Sequence, residues 1–140
     1  MSYAMSAALQ EAVFTALSGN VTLNARVEGI YDAPPESGGT PPIGTYITLG
    51  DDEAKDRSSA SHKGVTLDFE VNIHSDFAGF SAAKAVAADV VDILAWAELG
   101  LSRGNLVNLK FLKSRTRRGA APETRRIALV FRAILDDGIL

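Results

Sequence analysis

The 140-residue chain is 46% hydrophobic and 22% charged, the balance of a globular protein with one core. It has no cysteine, which excludes a disulfide framework and a thiolate metal site, and no apolar run approaches the roughly 20 residues of a membrane-spanning helix. The net charge of -3 hides a segregation: residues 1–102 hold 14 acidic and 5 basic side chains, whereas residues 103–135 hold 9 basic and 1 acidic. The expected partner is therefore a polyanion or a protein surface of opposite sign, and a second copy of the chain qualifies.

The chain opens with MSYAMSAALQEAVF, which lacks the basic start of a signal peptide, and the absence of cysteine fits a cytoplasmic place of synthesis. Met5, Leu9, Ala12, Val13 and Ala16 recur at helical spacing and predict a helix over about Met5 to Leu17. Ser2 or Ser6 is the expected cap, Gly19-Asn20 the stop, and Phe14 sits on the flank of the stripe. A short strand is expected within Ala25 to Tyr31. The run DAPPESGGTPPIG can propagate neither helix nor ladder and reads as an irregular loop over about 32–44. Thr45 to Leu49 is the next strand, and the polar stretch DDEAKDRSSASHKG, about 51–64, reads as a long loop.

From Val65 the sequence VTLDFEVNIH alternates without a fault, the period of a strand with one buried face and one wet face. Ser75 or Asp76 is placed to cap a second helix from Phe80 to Glu98, whose core stripe is Ala83, Val86, Ala87, Val90, Leu94 and Ala97. Trp96 falls on the polar side of that helix, where a large aromatic either folds back over a helix end or awaits a partner at an interface. Leu106 to Lys113 is a strand with Val107, Leu109 and Phe111 on one side. Arg125 to Leu135 is another, apolar on both sides and so central or half covered. A loop over about 114–124 joins them. The order α-β-β-β-α-β-β, without strict alternation, predicts a single α+β domain over 1–140: an antiparallel or mixed sheet of about five strands, with two helices on one face.

Reactive chemistry finds little to rest on. His74, Ser75 and Asp76 are adjacent in sequence, but neighbours at i, i+1 and i+2 do not converge on one reacting atom, and a strand end explains them. Asp51, Asp52, Glu53 and Asp56 lack the alternating ligands of a calcium loop. No catalytic residue, cofactor site or metal site is expected, and an enzyme is not. The basic arm is a stronger signal: Lys110, Lys113, Arg115, Arg117, Arg118, Arg125 and Arg126 make up half of the 14 basic side chains. Such a patch binds phosphates, docks on an acidic protein surface or merely solubilises a hairpin. With no aromatic interleaved and no basic recognition helix, single-strand stacking and sequence-specific duplex reading are disfavoured.

Several segments, LQEAVFTALSGN, VEGIYDAPP, PPIGTYITLGDDEAKD and LDFEVNIHSDFAGFSAAKAVAADVVDIL, taken in this order, resemble the tail-completion (tail-terminator, or tail-to-head joining) proteins of long-tailed phages and gene transfer agents. The resemblance runs from about Leu9 to Ile134 and is one of pattern and order, not of catalytic motifs. It implies a virion structural protein of the tail neck, assembled in the host cytoplasm, that caps the tail tube as a homo-oligomer, a hexameric ring. Its implied partners are the tail tube protein and the head–tail connector or stopper protein. Nonspecific contact with DNA passing through the ring and no membrane contact complete the expectation. The expected assembly surfaces are the acidic segment Asp51, Asp52, Glu53 and Asp56, the arm with Arg115, Arg117, Arg118, Arg125 and Arg126, and Trp96. The alternatives are another neck or tail-tube protein of the same fold, or a nonspecific nucleic-acid-binding domain.

Overall fold

A computed structural model describes residues 4–32, 44–76, 80–96, 99–118 and 125–139. The first helix, α1 (Ala4–Ser18), buries Met5, Leu9, Ala12, Val13 and Leu17, the stripe that the spacing predicts. Ser6 is not its cap: it lies in the first turn and its hydroxyl donates to Asp52 Oδ2 at 3.0 Å. Gly19-Asn20 does stop the helix, but Asn20 then starts another. Its side chain accepts from Leu23 N at 2.9 Å, capping α2 (Val21–Arg26). Asn24 Nδ2 locks this corner by donating to the carbonyls of Leu17, Ser18 and Asn20. The strand expected from Ala25 shrinks accordingly to β1 (Ile30–Tyr31). Phe14 packs against the core of its own chain.

The sheet continues with β2 (Thr45–Asp56) and β3 (His62–Ser75), then, after α3 (Ser81–Trp96), with β4 (Asn105–Arg118) and β5 (Arg125–Ile139). The spatial order is β1-β2-β3-β5-β4, antiparallel throughout except that β1 runs parallel to β2. It is a mixed sheet in an α+β fold, with β5 an interior strand between β3 and β4, in keeping with its two-sided apolar pattern. Odd-numbered residues of β3 from Val65 to Ile73 meet the helices. They form one core with Ile47, Leu49, Ile127, Leu129, Phe131 and the α1 and α3 stripes. Phe131, 1% exposed, stacks on Phe69 with centroids 5.5 Å apart.

Two polar stretches read as loops are strand instead. Residues 51–56 complete β2, pairing with β3 as far as Asp56↔Val65, so the connection to β3 is only a short turn around 57–61. Likewise 114–118 complete β4, pairing as far as Arg118↔Arg125. Polarity misled in both places because these strand halves carry charge on an uncovered face or at an edge, where apolar alternation is not required. The proline loop 33–43, the tip 119–124 and the side chain of Trp96 lie outside the described residues. Ser75 and Asp76 do not cap α3. Ser75 accepts from Thr45 Oγ1 at 3.3 Å, and Asp76 accepts from Gly44 N at 3.0 Å, closing the end of the β2–β3 pair.

Candidate functional site

Three bulges decide which charges share a face. In β2 the register jumps from Leu49↔Val71 to Asp52↔Phe69, so Gly50 and Asp51 together oppose Glu70. The extra residue turns Asp52 toward the helices and sends Glu53 and Lys55 to the uncovered face. Glycine suits position 50, because a Cβ there would displace the Asn72 side-chain amide that holds Arg126. In β4 the shifts fall at Val107 and Leu112. Leu106, Leu109 and Phe111 therefore meet the helix side, while Asn108, Lys110, Lys113, Arg115 and Arg117 all register on the other. Val107 is 63% exposed and not a partner of Leu109 and Phe111 as simple alternation suggests.

The uncovered face is consequently polarised from edge to edge. Glu53, Asp68 and Glu70, with the single cation Lys55 among them, lie on β2 and β3; Arg126 and Arg132 on β5 and Lys110, Lys113, Arg115 and Arg117 on β4 make the other half basic. The two halves meet at a bidentate pair in which Arg132 Nε and Nη2 donate to Asp68 Oδ1 and Oδ2 at 2.8 and 2.9 Å. Those hydrogen bonds hold the Asp68 carboxyl below its ordinary value against the opposing desolvation of partial burial, with the charges of Arg132, Lys55 and Lys113 adding smaller pulls in the same direction as the hydrogen bonds. A shallow concavity spans the seam, lined among others by Glu53, Glu70, Lys113, Arg115 and Arg132.

The ten residues singled out from sequence sort differently. Asp51, Glu53, Arg115 and Arg117 are exposed on β2 and β4, and the side chains of Asp51, Arg115 and Arg117 make no hydrogen bond or ion pair among the described residues. Among the described residues Glu53 pairs only with Lys55, at 3.5 Å and well exposed. Asp52 is tied to α1 through Ser6, and Asp56 accepts from Ser58 N and Oγ at the turn. Arg118 and Arg125 register with each other on the helix side, where the Arg125 guanidinium sits 5.7 Å from the Phe80 ring centroid. Arg126 Nε and Nη2 donate to Asn72 Oδ1 at 3.2 and 3.1 Å. Arg125 and Arg126 thus contact other elements of the fold. Arg132, Asp68 and Glu70 complete the face and escape a search for charge runs, because they stand singly among apolar residues.

His74 stacks on Tyr46 with centroids 4.6 Å apart, and its Nε2 lies 2.9 Å from Thr48 Oγ1. Burial, with a smaller push from Arg126, lowers its pKa to about 4. The neighbouring Ser75 and Asp76 are bonded elsewhere, so the three do not converge. Among the described residues there is no cluster of His, Asp or Glu that would hold a metal ion, and no helix is long and apolar enough to cross a membrane.

Residues 11–136 match the family model of tail completion protein gp17. No curated protein matches. Among solved structures, a chain in the virion of a native gene transfer agent (GTA) particle is similar over 96% of this chain and 99% of that one, at 44% identity and a TM-score of 0.87.

Proposed function

Since the chain belongs to the family of tail completion protein gp17, we propose that it is a structural protein of the tail of a phage-like particle, where it caps the finished tube and joins it to the head connector. The observation that carries this reading is the 44% identity, over nearly the whole of both chains, to a component of a gene transfer agent virion. That virion component suggests the neck of such a particle as the location. The working form is a homo-oligomeric ring, for which six copies is the number the resemblance implies. A cyclic ring needs two different patches on each copy, one meeting the other on the next. The polarised sheet supports this, with acidic β2–β3 and basic β5–β4 on one chain.

Within that reading, Arg115 and Arg117 act as one assembly surface and Asp51 and Glu53 as the other, while Asp52, Asp56, Arg118, Arg125 and Arg126 shape and anchor them; Trp96 is assigned to the interface with a neighbour. Tail tube protein and connector contact the ring from its two ends, and DNA passing through it meets no base-reading element. Reversing Arg115→Glu and Arg117→Glu replaces attraction by repulsion at every interface. At about 1.4 kcal/mol per decade, this weakens each subunit contact tenfold or more. The variant is expected to fold normally, since neither side chain is buried or paired, yet to fail in ring formation and tail joining when viewed by electron microscopy. Rings and joined particles at normal yield would reject this assignment.

A further inference from the structure

Among the described residues both edges of the sheet lack a strand partner along much of their length, and their charges are complementary. On one side β1 covers only Ile47 and Thr48 of β2, which leaves the edge over 49–56 without a strand partner among the described residues. That stretch carries Asp51, Asp52, Glu53 and Asp56. On the other side β4, 14 residues long, is the last strand in the order and carries Lys110, Lys113, Arg115, Arg117 and Arg118. It also holds two of the three large hydrophobic side chains that stand exposed among the described residues, Val107 and Phe111. An edge with unpaired backbone donors and acceptors is a template for another strand. The bulges and cations of β4 discourage indiscriminate pairing, but they favour an acidic edge.

The geometry inside one copy selects the occupant. Reading across the uncovered face at one height, the row runs Glu53, Asp68, Arg132, Lys110. Acid–acid–base–base is closed internally by the Asp68–Arg132 pair. If a second copy presents Glu53 beside Lys110, the junction between copies repeats the junction within each. Direction agrees as well. Through three antiparallel pairings β4 runs opposite to β2, and rotation about an axis along the strands preserves direction. The β4 of one copy therefore meets the β2 of the next in antiparallel sense, with all helices remaining on the same side.

We propose that successive copies join edge to edge, β4 of one pairing with residues 49–56 of β2 in the next, so that the sheet continues around the oligomer and Glu53 faces Lys110 of the neighbouring copy. This rests on the ring reading and names its subunit contact. The absence of cysteine makes the test clean. Lys55→Cys/Asn108→Cys places thiols at one height on the two edges and leaves the charged row intact, because Lys55 and Asn108 share the row through Thr66 and Ile134. Glu53→Cys/Lys110→Cys is the second pair. Each variant, purified and in assembled particles, is treated with a short bis-maleimide. A ladder of covalent oligomers that requires both cysteines on one chain supports the proposal. Folded variants that give no ladder in either setting, or that cross-link only to a different protein, overturn it. Electron microscopy of the same particles keeps the outcomes separate: rings at the tail end without a ladder reject the edge contact alone, whereas no copy at the tail end rejects the ring reading itself.

Discussion

His74 shows how far a single side chain is committed to the fold. Stacked on Tyr46 and held against Thr48, it stays neutral because burial and Arg126 both disfavour the imidazolium. In the unfolded chain the ordinary value near 6.5 applies, and in the folded chain about 4. A depressed histidine contributes nothing against stability above about 6.5. As pH falls from there toward 4, the unfolded state takes up a proton that the folded state refuses, and stability declines. Urea midpoints measured between pH 7 and 4 are expected to fall for the native chain and to fall less for His74→Gln, which keeps a polar partner for Thr48. Identical pH profiles would contradict this. Asp68 works in the opposite range. Its carboxyl is held low by Arg132, so the contribution of that pair is present above the ordinary carboxylate value and fades only as pH drops below it.

At the scale of elements, the core is the part the sequence expresses most directly. The alternation from Val65 to His74 and the stripes of α1 and α3 appear in the structure as the faces they predict, because burial imposes a period that side chains must obey. Phe131 sits where three aromatic rings meet, stacked on Phe69 and tilted against Phe111 at 5.6 Å. Phe131→Ala is expected to cost about 3–5 kcal/mol in a denaturation midpoint analysis, and a loss under 1 kcal/mol would show the site able to collapse. What the sequence conceals is everything that burial does not govern. The charged halves of β2 and β4 look like loops, since strands at an open face or edge need no apolar period. The α2 helix depends on one asparagine cap and one buried leucine, Leu23, too little for a periodic signal. Bulges at 50–51, 107 and 112 are backbone events, and only they reveal that Glu53 shares a face with Asp68, and Lys110 with Arg115. The charge segregation was legible; its geometry was not.

For the whole molecule, polarity across one sheet replaces the picture of two separate charged arms. The helices and the core hold that sheet rigid, and the acidic and basic halves meet at the Asp68–Arg132 seam. A subunit built this way has an incomplete edge on either side, and a closed ring is the arrangement that satisfies both at once. Under the proposed ring reading, capping follows from closure: a ring seated on the last turn of a tube would offer no further strand edge for growth and would present a new surface to the head. The most direct measurement is the length and attachment of tails in particles produced without this chain. The account predicts tubes of variable, often excessive length that remain separate from heads, with both defects restored when the chain is supplied. Tails of normal, uniform length joined to heads in its absence would contradict it.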